Sequence, residues 1–540
     1  MNKVSKVKRN NHFLDKFKIV FMIPLIFLVA GQTPSGTAQN SVTDSFRFDE
    51  QDITQIRIGY SNGAFTVKEL VQAYLDRINE IDKNGPGLNS IIQINPDAIQ
   101  IAEELDDEMK QGKVRGPLHG IPVVLKDNID THDKMATTGG SKALMNSYPL
   151  KDSYIAKQLR DAGAVIIGKA NLSEWANFRG QLSTSGWSGA GGQTKNPYVL
   201  DRNPCGSSSG SAVAVSANLT MLAIGTETDG SIVCPSHSNC IVGIKPTVGL
   251  VSRSGVIPIS FTQDTPGPMA RNVRDAAICL GAMTGVDPAD EKTLVSKGKT
   301  YTDYTQFLKE NGLKGKRIGL YKIPVGINYK VDTLMYQAIE LMKSRGAEII
   351  ELDKISEESP DSYSFQILLY EYKDGLNKYF TSLGPQASVK SIEELIAFNK
   401  SDPLELKYFN QKYLEMAQEK GDLNSKEYLE ALDKMMKGSR DEGIDKVMNE
   451  HNLDAIVAPT GSPAWKTDLI NGDSFQFGTS SPAAMAGYPN INVPMGFINE
   501  LPVGISFFGR AWSEPMLLEI AYAYETATKH RRAPKFLISD

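Results

Sequence analysis

Gly206-Ser207-Ser208-Ser209-Gly210-Ser211 opens the stretch on which this chain turns, and Gly225-Thr226-Glu227-Thr228-Asp229-Gly230-Ser231 closes it. The apolar-rich run between them fits a short helix from Ser211 to Asn218 and a strand from Thr220 to Ile224. Glycine adopts backbone angles closed to other residues, so such loops bring peptide N–H groups close to a ligand. The hydroxyls beside them can serve as nucleophiles or proton relays. A Gly/Ser run is also the composition of a plain flexible loop, so the weight falls on what surrounds it.

Upstream, Arg115-Gly-Pro-Leu-His-Gly-Ile-Pro-Val-Val-Leu-Lys126-Asp-Asn-Ile-Asp130 carries a buried-strand pattern over Ile121 to Leu125. Lys126 closes that apolar strand. Two readings are open: a strand-end lysine reaching water along its stem, or an amine held in a dry pocket, with the lowered pKa that a general base requires. A capping box at Thr66 and Glu69 begins a helix with Leu70, Tyr74, Ile78 and Ile81 inward. Helix and strand alternate from there: strand 88–94, helix 96–110, helix 154–162, strand 164–168 and helix 275–283. Such alternation predicts an α/β fold, a mixed sheet covered by helices on both faces. Segments 243–249 and 264–271 read as turn-rich, and 477–496 is rich in Ser, Gly, Ala and Pro. Beyond Ser296 strands are expected at 316–321, 348–352, 453–459 and 502–509, with helices at 333–344 and 516–528. Between about 356 and 450 the pattern is charged and mostly helical.

The 540 residues, 41% hydrophobic and 22% charged, suit a large globular chain. The net charge of -5 offers no electrostatic case for nucleic acid as a partner. Lys3, Lys6, Lys8, Arg9, Lys16 and Lys18 precede an apolar run from Ile19 to Ala30, and Gly36-Thr37-Ala38 offers a small-x-small cleavage site. Residues 1–38 are therefore expected to be a signal peptide, leaving an acidic, exported or cell-envelope protein with no stable membrane span after processing. Cys205, Cys234, Cys240 and Cys279 show no zinc spacing. Export permits a disulfide whose connectivity cannot be read; buried small hydrophobes are the expectation.

Two serine chemistries compete. Gly206-Ser-Ser-Ser-Gly210 matches a nucleophile elbow centred on Ser208, but nothing in the sequence singles out a downstream Asp and His as its partners. A Ser/Lys arrangement instead takes Lys126 as base, a relay serine from 206–211, and Ser231 beside backbone N–H groups that can face an oxyanion. It needs no metal and no cofactor.

At this point the sequence resembles the amidase signature family of serine hydrolases. The likeness lies in GPLHGIPVVLKDN at 116–128, GSSSGSA at 206–212, GTETDGSI at 225–232, GIKPTVGLVS at 243–252 and DTPGPMAR at 264–271. APT at 458–460 and GYPNINVP at 487–494 also fit, whereas roughly 296–450 does not. The resemblance implies one amidase domain over 39–540, with a variable helical region at about 296–450 that decorates it and helps shape the substrate cleft. It implies Lys126 as base, Ser207 as bridging serine after a cis Gly206–Ser207 bond, and Ser231 as nucleophile. The backbone N–H groups of Thr228, Asp229, Gly230 and Ser231 correspond to the oxyanion hole. Ser209 and Ser211 are expected to satisfy nearby backbone instead.

Many members of the family carry Gly-Gly-Ser-Ile-Arg at the nucleophile turn; here it is Asp229-Gly230-Ser231-Ile232-Val233. That turn, with SGWSGAGGQTKNPY at 185–198, is more similar to bacterial peptide amidases, which hydrolyse C-terminal peptide amides. The expected partner is thus a small-molecule or peptide amide, with oligomeric state left open. The alternatives are the A-type component of a glutamine-dependent amidotransferase, a Ser-His-Asp esterase and a non-catalytic exported binding protein.

Overall fold

Strand β2 (Pro122–Lys126) is buried at every residue, as its unbroken apolar run requires of a strand covered on both faces. It lies inside an eleven-stranded mixed sheet. The computed structural model describes residues 46–539. In chain order the other strands are β1 (Ile91–Ile94), β3 (Val165–Ala170), β4 (Leu222–Glu227), β5 (Val242–Lys245), β6 (Thr265–Ala270), β7 (Arg317–Tyr321), β8 (Glu348–Leu352), β9 (Ala455–Pro459), β10 (Asn490–Ile498) and β11 (Leu501–Phe508). Their order across the sheet is β1-β3-β2-β4-β6-β5-β10-β11-β9-β7-β8. The pairs β3/β2, β2/β4, β9/β7 and β7/β8 are parallel; the others are antiparallel. The α/β expectation holds. The segment read as a signal peptide lies outside the described residues. Among the described residues, no helix is long and apolar enough to cross a membrane.

Both turn readings are corrected, the first because 243–249 begins inside strand β5. Thr265–Ala270 is the central strand β6, although it contains Pro266 and Pro268. Strand β5 pairs with it only at Met269 and Ala270, past both prolines, which lets a proline-bearing segment sit inside a sheet. The span 477–496 holds a helix, Ser481–Ala486, and most of β10. The region after 296 is only partly decoration, because β7 and β8 extend the main sheet to its edge. Helices from Asp361 to Glu450 then pack beside it.

Helix Ser209–Ser216 is buried along its whole length. Gly210 makes that possible: a side chain there would meet the carbonyls of Ser90 and Asn171 at 2.2 and 2.5 Å. This close approach seats the serine loop against the sheet, beside the ends of β2 and β4.

Candidate active site

Because β2 and β4 are parallel neighbours, Lys126 and Thr226 emerge at the same, carboxyl end of the sheet, the end at which open α/β sheets place their ligands. Lys126 is fully buried. Its Nζ lies 2.7 Å from Ser207 Oγ, 2.9 Å from Thr226 Oγ1 and 3.2 Å from the Thr226 carbonyl. Thr226 Oγ1 also accepts from Asn128 Nδ2 at 3.0 Å. The strand-end lysine reaching water is thereby excluded. Burial pulls the Lys126 amine down to about 7, against the opposing pull of the Asp264 and Glu227 carboxylates.

Two other lysines are equally buried, and their partners set them apart. Lys169 donates to the Ile129 carbonyl and Thr137 Oγ1, with the Asp127 and Asp130 carboxylates as its main charged neighbours. Lys245 donates to the Tyr488 carbonyl, with Glu227 and Glu514 as its charged neighbours. Of the three, Lys126 alone touches the Gly/Ser loop.

The peptide bond Gly206–Ser207 is cis, as the resemblance implies. The Ser208 N–H donates to the Ser231 carbonyl at 3.1 Å, tying the two loops together. Ser207 is 1% exposed and Ser231 is 8% exposed, so of the two Ser231 is the one nearer solvent. Ser208 Oγ bonds both the carbonyl and the N–H of Thr226. Ser209 Oγ donates to the Cys205 carbonyl and Ser211 Oγ to that of Ile224. These three hydroxyls are occupied with backbone. His237 offers the nucleophile-elbow reading no free ring nitrogen: its Nε2 pairs with the Ser462 carbonyl and its Nδ1 accepts from Gly504 N–H.

The turn 228–231 is pinned from three sides. The Glu227 carboxylate accepts from Ile232 N–H and Val233 N–H at 2.7 and 3.0 Å. Asp264 accepts from Thr228 Oγ1 at 2.6 Å and from the N–H groups of Ile259 and Ser260. Asp229 accepts from Ser480 Oγ and Ser481 Oγ at 2.5 and 2.7 Å. Gly230 turns the chain at φ +78°, in the left-handed region that favours glycine. Among the described residues no acceptor takes the N–H groups of Asp229, Gly230 or Ser231.

Thr226, Glu227 and Asp264 fall inside the family motifs, whose letters alone assign them no role. Ser480 and Ser481 escape a reading of the sequence, since nothing local marks a serine that bonds a residue some 250 positions away. The cysteine expectation is corrected. Cys205 and Cys234 form a disulfide, while Cys240 and Cys279 are buried thiols.

A cavity of about 540 Å³ opens over the two loops, lined by Gly206 and Gly230 among others. Ser185, Trp465 and Phe475 wall it, and Tyr413 is the sole lining residue from the variable region. Among the described residues, the lining includes Asp229 and Asp473 and no Lys, Arg or His. Among the described residues, no cluster of His, Cys, Asp and Glu is arranged to hold a metal ion.

The chain matches the family described as Amidase over residues 69–518. It is 42% identical to a protein of Arabidopsis thaliana named "Probable amidase", over 96% of this chain and 98% of the relative. The native peptide amidase of Stenotrophomonas maltophilia superposes with a TM-score of 0.88 at 49% identity, covering 91% of this chain and 99% of that one. The A-type component of the glutamyl-tRNA(Gln) amidotransferase of Alkaliphilus metalliredigens is 34% identical, over 89% of this chain and 96% of its own. The cavity, the buried amine beside a hydroxyl loop and these likenesses converge: the chain belongs to the amidase family and is an amide-hydrolysing enzyme.

Proposed function

We propose that this enzyme is an exported amidase that hydrolyses C-terminal peptide amides through Lys126, Ser207 and Ser231. The observation that carries the catalytic part is the 2.7 Å contact between a fully buried lysine amine and Ser207. Neutral Lys126 takes the proton of Ser207 while Ser207 takes that of Ser231. The Ser231 oxygen attacks the carboxamide carbon, and the N–H groups of the turn 228–231 receive the oxyanion. Lys126 returns the proton through Ser207 to the departing nitrogen, so that ammonia or an amine leaves. Water then enters by the same relay and releases the carboxylate.

The substrate reading rests on the peptide amidase likeness and on the cavity. At about 540 Å³ it is of the size that takes a small ligand or the end of a peptide. Its lining carries two carboxylates and no cation. Glutamine, the amide donor of an amidotransferase, brings a free α-carboxylate, for which this lining offers no cationic partner; an amidated peptide terminus is neutral and needs none. Export rests on the basic start and apolar run of residues 1–38. A panel of peptide amides, aliphatic amides, aryl amides and glutamine, read by ammonia or amine release, tests the substrate. Peptide amides are expected to turn over fastest, and preference for glutamine would reverse the assignment. A fusion carrying residues 1–45 is expected to be cleaved and leave the cytoplasm.

A further inference from the structure

Cys205 immediately precedes the Gly206–Ser207 pair, and Cys234 follows Ser231 by less than one helical turn. The bond between them joins the two loops that carry the candidate serines, and both half-cystines line the cavity. Each end is held by further contacts. Cys205 lies at φ +58°, with its N–H on Asn203 Oδ1 at 2.8 Å. Its carbonyl accepts from Ser209 Oγ at 2.6 Å. The Cys234 N–H donates to the Gly230 carbonyl at 2.8 Å, which couples it to the oxyanion turn. Trp465 packs on the pair, and its indole N–H donates to Asp473 at 3.0 Å. The disulfide is therefore a covalent tie between the loop that carries Ser207 and the turn that carries Ser231.

We propose that the Cys205–Cys234 disulfide is a positioning element of the active site, which makes full turnover depend on the oxidised state. The inference rests on the Lys126/Ser207/Ser231 reading above. A relay of two hydroxyls works only when donor and acceptor stay within hydrogen-bond reach, and an ångström of drift can cost about a hundredfold in rate. Reduction by dithiothreitol adds two electrons and two protons across the S–S bond, leaves two thiols, and converts the reagent to its cyclic disulfide. The loops then keep the Ser208-to-Ser231 hydrogen bond but lose their covalent tie.

The test uses the whole protein in three forms: oxidised, reduced, and the double variant Cys205→Ser/Cys234→Ser. For each, kcat and KM on a peptide amide are measured below the unfolding temperature. The rate at which a fluorophosphonate acylates the protein is measured alongside, and circular dichroism reports folding. The reduced form and the variant are expected to stay folded while kcat and the acylation rate fall about tenfold or more, with KM little changed. Reoxidation should restore the wild type and leave the variant unchanged. A folded, reduced enzyme with undiminished kcat and acylation would overturn the proposal. Loss of activity that only follows loss of structure would overturn it too, since the bond would then be a staple of the fold alone. Oxidised wild type that neither hydrolyses amides nor takes the fluorophosphonate would instead sink the catalytic reading beneath it.

Discussion

The amine of Lys126 and the hydroxyl of Ser207 lie 2.7 Å apart with no path to solvent around the lysine. That contact joins the carboxyl end of an interior strand to a loop from elsewhere in the chain, and under the proposed mechanism it sets the pH dependence of turnover. Burial holds the amine at about 7. The base must be neutral to act, and it is protonated below that value. kcat/KM for an amide is therefore expected to fall about tenfold per pH unit below pH 7 and to level off above it. A flat profile from pH 5 to 9 would remove Lys126 from the base role.

Thr226 is predicted to share in holding that base. Its hydroxyl sits between Lys126 Nζ at 2.9 Å and Asn128 Nδ2 at 3.0 Å. Thr226→Val keeps the shape and deletes both contacts. The orphaned Asn128 amide should cost about 1–3 kcal/mol of stability. The loosened amine should lower kcat/KM by about 10- to 100-fold, with Thr226→Ser close to wild type. Denaturant unfolding and steady-state kinetics on the two variants check this.

A third prediction concerns stability alone. Arg179 is fully buried, with Nη1 2.6 Å from Glu174 and 3.3 Å from Glu405. Glu405 also accepts from the Lys142 N–H at 2.8 Å, so it fastens the variable region to the main body. Glu405→Ala breaks the network but leaves Arg179 and Glu174 in place. Arg179 keeps Glu174 as its counter-charge, so the expected loss is that of the orphaned donors, about 1–3 kcal/mol, read from chemical denaturation. A loss below about 1 kcal/mol would mean that water or rearrangement replaces the missing carboxylate.

The next prediction separates amide from ester chemistry. An amide nitrogen cannot leave unprotonated, so the proposed mechanism needs Lys126 twice: to take the proton and to return it. An activated ester leaves without the second transfer. Lys126→Ala should therefore lose more rate on an amide than on a matched ester, within the roughly 10²–10⁴-fold range of each proton-transfer step. Its residual ester activity should also lack the acid limb. Equal losses on both substrates would confine Lys126 to activating the nucleophile.

Much of this was legible in the chain and some was not, for identifiable reasons. Strand β2 and its terminal lysine stand out because a strand buried on both faces reads as an unbroken apolar run. The roles of Ser207 and Ser231 come from the motif resemblance; geometry adds that Lys126 touches the first of them. Strand β6 was hidden by its prolines, whose usual meaning is a turn. Strands β7 and β8 were recognised as strands, yet nothing local told that they continue the main sheet. The disulfide pairs residues 29 positions apart, and four cysteines leave their pairing open. The Asp229 clamp by Ser480 and Ser481 joins two distant stretches of the sequence, where no periodicity can point.

The central claim is that Ser231 carries the acyl group. Intact-protein mass spectrometry after a fluorophosphonate or a slowly deacylating ester, followed by peptide mapping, tests it directly. A single adduct on Ser231, lost in Ser231→Ala and slowed in Lys126→Ala, is the predicted result. An adduct on Ser208, or one that forms at full rate without Lys126, would contradict the account.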